Sequence, residues 1–234
     1  MTEPDFKIRP YEPQDRDAVR RICCETGFLS NPIDPVFEDR ELFADFLTSY
    51  YTDEEPESSV VLESGGEVRG YVLGCRLPGK QSRHNLRMAP SGVAKLLWRF
   101  LFRYKNSTRA YIWWLLTRGR KEVPFTPKGM PHFHINLLVD VKSVAQTRAL
   151  IDSFLEYLVR AGEKSVYGQV VTFEKRRGER MFARYGFIVK DSVEVTKYRR
   201  YMDKPVYLFT VVKDLSAGAK LYDKDLRSVI AGGE

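Results

Sequence analysis

The sequence predicts an α/β fold in a single domain, and three observations carry that expectation. Apolar strand, polar loop, amphipathic helix and second apolar strand follow one another between residues 132 and 172. A hairpin pattern with a Gly-Gly turn occupies residues 59–75. A strand that runs into a helix opens the chain over residues 6–27. With 234 residues, 43% of them hydrophobic, the chain is long and apolar enough to bury one large core.

Each element follows from its own pattern. Residues 6–10 alternate as a strand does, then meet Pro13 and Asp15, which favour a helix start. Ala18, Val19, Ile22 and Cys23 lie at helical spacing, and Gly27 ends the run. Residues 38–51 place Leu42, Phe43, Phe46, Leu47 and Tyr50 on one helical side. Residues 53–57 form a solvated acidic loop. Residues 59–62 and 68–75, joined by the turn at 64–67, read as a hairpin. The next connection is longer than an ordinary one. Within it, residues 92–102 and 107–116 read as helices, and Pro124 and Pro127 close it. A strand at 132–139, a loop at 140–147, a helix at 148–160 and a strand at 165–172 follow. A helix from Arg176 then runs to Gly186. Residues 193–198 and 206–212 read as a closing antiparallel pair. The expected organisation is one domain, 1–234, with 76–128 as a basic aromatic helical insertion and 214–234 as a polar tail.

Composition narrows the classes. No apolar run is long enough to span a bilayer, and the N-terminus is polar and acidic without a secretory apolar core. Cys23, Cys24 and Cys75 are odd in number and two are adjacent, which gives neither a disulfide framework nor a metal-ligand spacing. Packing is their expected role, and a reduced, cytoplasmic location follows. The formal charge of +7 is unevenly spread. Residues 76–128 hold 13 Lys and Arg against one acid, Glu122, so 13 − 1 gives +12 there and leaves −5 for the rest. The same segment holds all three tryptophans, Trp98, Trp113 and Trp114.

The layout of residues 132–187 resembles the core of the GNAT superfamily of N-acetyltransferases. The opening Ile8-Arg9-Pro10, Asp15, Ile22 and Gly27 is similar to the usual start of such a domain. Some bacterial GNAT proteins also carry a longer piece before a His-x-His-Ile strand. The resemblance implies a mixed, mainly antiparallel twisted sheet flanked by helices, with the helical insertion before strand four. It also implies acetyl-CoA, or another acyl-CoA, as co-substrate. In the family, backbones of the fourth strand contact pantetheine, and the matching residues are Leu137, Leu138 and Val139. The family's pyrophosphate loop reads Arg/Gln-x-x-Gly-x-Gly/Ala. Its match is Lys142, Ser143, Val144, Ala145, Gln146 and Thr147, which keeps a cation and replaces both glycines. The phosphate would meet amide N–H groups at a helix N-terminus. The family's thiolate acid is a tyrosine after an asparagine and an alanine. The aligned positions are Lys175, Gly178 and Phe182, and phenylalanine donates no proton. Tyr185, three positions on, is expected to be buried at the helix end.

Acyl transfer to an amine needs a base for the ammonium and a donor at the carbonyl oxygen. His132 and His134 share one strand face and are the candidate bases. Certain arylalkylamine acetyltransferases carry a similar pair, offset by one residue. Hydrogen-bonded structural histidines are the competing reading. Two histidines without a third ligand do not make a zinc site, so no metal is expected. Trp113 and Trp114 are the candidate acceptor contacts, on helices packed over the acceptor pocket. The competing role of the insertion is a peripheral contact with an anionic membrane, and nucleic acid ranks below both, because no recognition motif accompanies the charge. The expected function is direct N-acyl transfer, most simply acetyl, to a small-molecule or polymer amine, with homodimerisation open. The alternative is a catalytically inactive GNAT-like module that binds a ligand, an anionic membrane surface or a protein partner.

Overall fold

The computed structural model describes residues 6–173 and 181–216. Seven strands form one twisted sheet: β1 (Phe6–Pro10), β2 (Ser59–Ser64), β3 (Glu67–Cys75), β4 (His132–Leu137), β5 (Ser165–Thr172), β6 (Ile188–Glu194) and β7 (Tyr207–Asp214). Their spatial order is β1-β2-β3-β4-β5-β7-β6. Every neighbouring pair is antiparallel except β4 and β5, which run parallel. The fold class is therefore the expected one.

Helices cover both faces. On one side lies α5 (Val144–Arg160), whose Leu150, Ile151, Phe154, Leu155 and Leu158 recur at helical spacing and are buried. They pack on Val60, Leu62, Val72, Phe133, Leu137 and Phe209. Gly74 is the point of closest approach. A Cβ there would come within 2.2 Å of both the Phe154 ring and the Ser58 carbonyl. The other face carries α1 (Arg16–Thr26) and α2 (Arg40–Ser49) over Tyr11, Val61, Tyr71, Leu73 and Cys75. Asp39 caps α2 by accepting from the Leu42 amide at 3.2 Å. Of the expected apolar side of α2, Leu42, Phe43 and Leu47 pack inward, while Phe46 is exposed. The β2–β3 turn places Gly65 and Gly66 at φ +62° and +79°, where a side chain would be strained.

Between β3 and β4 run α3 (Pro78–Phe102) and α4 (Asn106–Trp114). Helix α3 begins well before the expected residue 92, crossing Pro90 and Gly92. Its polar first turns are held by tertiary partners: Lys80 donates to the Glu54 carbonyl, Gln81 to the Tyr51 hydroxyl at 2.8 Å, and His84 meets Ser49 at 3.1 Å. Those contacts stabilise a helix whose own composition does not announce it. Pro90 still leaves the Leu86 carbonyl without its helical donor.

Three other boundaries move. The first turn of α5 starts at Val144, so Val144, Ala145, Gln146 and Thr147 belong to a helix rather than a loop, because Ser143 caps the Gln146 amide at 3.2 Å. The strand expected at 193–198 is instead β6, ending at Glu194, followed by a 3-10 turn at Thr196–Arg200. Glu122 fixes that turn by accepting from the Thr196 amide and hydroxyl at 2.7 and 2.6 Å. The expected tail at 214–234 begins later, since Asp214 closes β7 and Leu215 is buried in the core. Residues 217–234 lie outside the described residues, as do Lys175, Arg176 and Gly178. Among the described residues no helix is long and apolar enough to cross a membrane.

Candidate active site

The sheet opens between its two parallel strands. β4 pairs with β3 along its whole length, from His132↔Cys75 to Leu137↔Gly70. With β5 it pairs only at His132↔Tyr167 and Phe133↔Gly168. Backbone phase follows from two bonds. The Leu138 amide donates to the Arg69 carbonyl at 2.9 Å, and the Tyr167 amide donates to the Pro131 carbonyl at 3.0 Å. Even-numbered residues of β4 therefore turn their backbone groups to β3, and odd-numbered ones turn theirs to the β5 side. Past Phe133 the β5 side is a gap. The N–H and C=O groups of Ile135 and Leu137 face it, with no strand partner among the described residues. The side chains of Phe133 and Leu137 are buried in the core beneath. Leu138 spends its amide on β3, and Val139 is exposed at the start of a 3-10 turn (Val139–Val141).

That turn delivers the chain to the N-terminus of α5. Ser143 satisfies the Gln146 amide and its carbonyl accepts from the Thr147 amide at 3.0 Å. The amides of Val144 and Ala145 come first in the helix and have no intrahelical acceptor. Both residues are exposed, as is Lys142, whose ammonium donates to the Ser30 hydroxyl at 2.6 Å. Amide donors and the positive end of the helix dipole meet here, with Lys142 two residues before the helix start, which suits a phosphate group. The methyl of Ala145 and the branched side chain of Thr147 narrow the approach that glycines would leave. The donor set fits the pyrophosphate of coenzyme A.

His132 and His134 lie on the face of β4 opposite the α5 core, together with Asn136, as strand alternation requires. His132 sits between two phenols: its Nε2 is 3.5 Å from the Tyr51 hydroxyl, and its ring centroid is 5.1 Å from that of Tyr167. Burial lowers its pKa to about 4. His134 opens to solvent, 5.4 Å from the Tyr51 ring. Crowding by protein atoms, with His132 beside it, lowers His134 to about 4 as well, while the solvent contact of the ring works in the opposite direction. Both imidazoles are neutral at pH 7. Each can accept a proton, but as a base weaker than the spacing alone suggested. Tyr51 and Gln81, which frame this pair, are 81 and 51 positions from His132 and gave no signal in the sequence. Asn136 donates to the Tyr71 hydroxyl at 2.8 Å.

Trp113 and Trp114 line a cavity of about 320 Å³ with Tyr111, Lys197, Arg200 and Tyr201. Trp114 donates its indole N–H to Glu122 at 2.8 Å, and Trp113 stands exposed at the rim. The Lys197 ammonium lies 5.0, 5.0 and 4.9 Å from the ring centroids of Tyr111, Trp114 and Tyr198. Burial lowers its pKa to about 8, against the opposing pull of Glu122. Nothing in the sequence singled Lys197 out, because its cage comes from α4 and from the turn that carries it. Phe182, at the position of the family's acid, is buried with its ring 5.5 Å from Phe209. Tyr185 is half-buried against the same core. Among the described residues no three His, Cys, Asp or Glu converge as metal ligands.

A mixed sheet that parts beside a helix N-terminus, with helices on both faces, is the fold of the GNAT acetyltransferases. The structure named SsHAT superposes with a TM-score of 0.54 at 24% identity, over 90% of this chain and 98% of that one. A putative acetyltransferase from Salmonella typhimurium, yncA, solved with its cofactor acetyl-CoA, gives 0.53 at 14% identity over 93% and 98%. Polyamine N-acetyltransferase from Drosophila melanogaster, which forms N-acetylagmatine, gives 0.53 at 11% identity over 90% and 100%. No family model matches the sequence, and no curated protein matches it either.

Proposed function

We propose that the chain is an acyl-CoA-dependent N-acyltransferase that moves an acyl group, most simply acetyl, directly to an amine. The observation that carries this reading is the pairing of two donor sets, the open edge of β4 at Ile135 and Leu137 and the helix-start amides of Val144 and Ala145 a few residues further along the chain. The β4 amides would align pantetheine and meet the charge that gathers on the thioester oxygen. Lys142 and the helix N-terminus would hold the pyrophosphate, with acetyl-CoA supplying the thioester. His134, open to solvent on the same strand, would take the proton an attacking amine releases, with His132 beside it. Trp113 and Trp114 line the cavity assigned to the acceptor.

The cysteines favour direct transfer. Cys23, Cys24 and Cys75 are all buried, and burial pushes the thiols of Cys23 and Cys75 up to about 12. A thiol held that far above neutral pH supplies little thiolate for an acyl-enzyme. The second reading, a binding module without turnover, is favoured by Phe182, which has no proton to give, and by the weak basicity of the histidines.

Calorimetry tests the first claim. Acetyl-CoA is expected to bind in the micromolar range, and Ala145→Glu, which sets a carboxylate among the phosphate donors, is expected to weaken it more than tenfold. A folded parent that shows no heat at millimolar acetyl-CoA would overturn the donor assignment. A parent that binds acetyl-CoA, yet releases no thiol with any of a panel of primary amines, would leave only the binding module.

A further inference from the structure

We propose that the outward side of α3 is a docking surface for an anionic lipid membrane. Leu86, Pro90, Val93, Leu97 and Leu101 recur along α3 at helical spacing and all are exposed. Trp98 and Phe102 stand beside that line with ring centroids 4.7 Å apart, and are 64% and 67% exposed. Elsewhere in the same segment Trp113, on α4, and Leu116, just past its end, are also exposed, at 67% and 73%. Single exposed leucines are ordinary on a protein surface, whereas a contiguous apolar face of this size marks an interaction site. The fold does not need this side. The same helices bury Tyr104 and Ile112, with Leu96 and Phe100 packed alongside, against Phe37 and Ala44.

Charge selects the occupant. The segment 76–128 carries +12 in a chain whose remainder is −5. Part of that charge serves the fold, as where Arg99 pairs with Asp39. Arg83, Lys95, Arg103, Arg120 and Lys121 are exposed and make no ion pair among the described residues. A second copy seated on this face would bring two +12 segments together. A bilayer rich in anionic headgroups neutralises the charge and takes up the apolar side chains, with tryptophan and long basic side chains at the boundary. Contact would be peripheral, since no described helix is apolar enough to cross.

Flotation with vesicles tests the surface directly. The full chain should rise with phosphatidylcholine vesicles containing about one-third phosphatidylglycerol, stay behind with pure phosphatidylcholine, and release as salt is raised. Lys95→Glu with Arg103→Glu should reduce partitioning about fivefold for each basic residue removed. Trp98→Ser with Leu101→Ser should reduce it more than tenfold, and Phe46→Ser, an exposed apolar residue on α2, should leave it unchanged. Circular dichroism confirms folding of each variant; if the Trp98 and Leu101 pair fails that check, the charge pair decides. The proposal is overturned if the folded parent binds neither vesicle, or binds both equally. It is also overturned if light scattering shows a dimer that Leu97→Glu dissolves, which would assign the face to a second copy.

Discussion

Helices α5 and α3 are both amphipathic, yet the molecule uses them in opposite ways. α5 buries Leu150, Phe154, Leu155 and Leu158 completely, against a sheet face that includes β2, β3 and the Phe133 ring of β4. α3 is longer, and among its residues only His84 is buried. The apolar stripe of α5 is matched by a sheet face at packing distance. That of α3 faces away from the sheet, and the helix is anchored by polar contacts of its first turns and by Leu96 and Phe100. Hydrophobic periodicity marks a face that must be covered, but not by what. For α5 the cover is the chain itself; for α3 the described residues supply none.

The sharpest way to break this comparison is at its two aromatic anchors. Phe154→Ala should lower stability by about 3–5 kcal/mol, because it removes a fully buried ring and leaves a cavity beside Gly74. Urea denaturation measures it, and a loss below about 1 kcal/mol would mean that α5 is not the core helix. A smaller effect is expected from acid. Folded His132 has a pKa of about 4, against roughly 6.5 for a free imidazole. The unfolded chain thus takes up the proton first, so stability is full above about pH 6.5 and declines as the pH falls towards 4. The His132 share is on the order of 2 kcal/mol. His132→Gln should flatten the decline, and a parent equally stable at pH 7 and 4.5 would refute the buried site. The smallest effect belongs to α3. Trp98→Ser should shift stability by no more than about 0.5 kcal/mol. A loss comparable to that of Phe154→Ala would show that the exposed face is part of the core.

Part of the local geometry was legible because it is local. The passage from β4 through a polar loop into a helix, and the shared face of His132 and His134, follow from adjacent residues and strand alternation. The ends of elements were less legible, because caps decide them. Ser143 extended α5 backward by four residues, and Glu122 turned the expected strand at 193–198 into a 3-10 turn. Glu122 lies 74 positions from Thr196, and no window of the sequence contains both.

The sequence by itself determined the order of strands and helices, the apolar face of each and the concentration of positive charge before β4. Those properties reside in the spacing of side chains along a short stretch of backbone. Only the tertiary structure decided that β4 parts from β5 after Phe133, because a strand edge is open or closed according to a neighbour more than thirty residues away. It likewise decided that burial makes His132 a weak base and brings Lys197 down to about 8. A pKa follows from desolvation and from charges in space, and the rings around Lys197 come from α4 and from the Thr196–Arg200 turn.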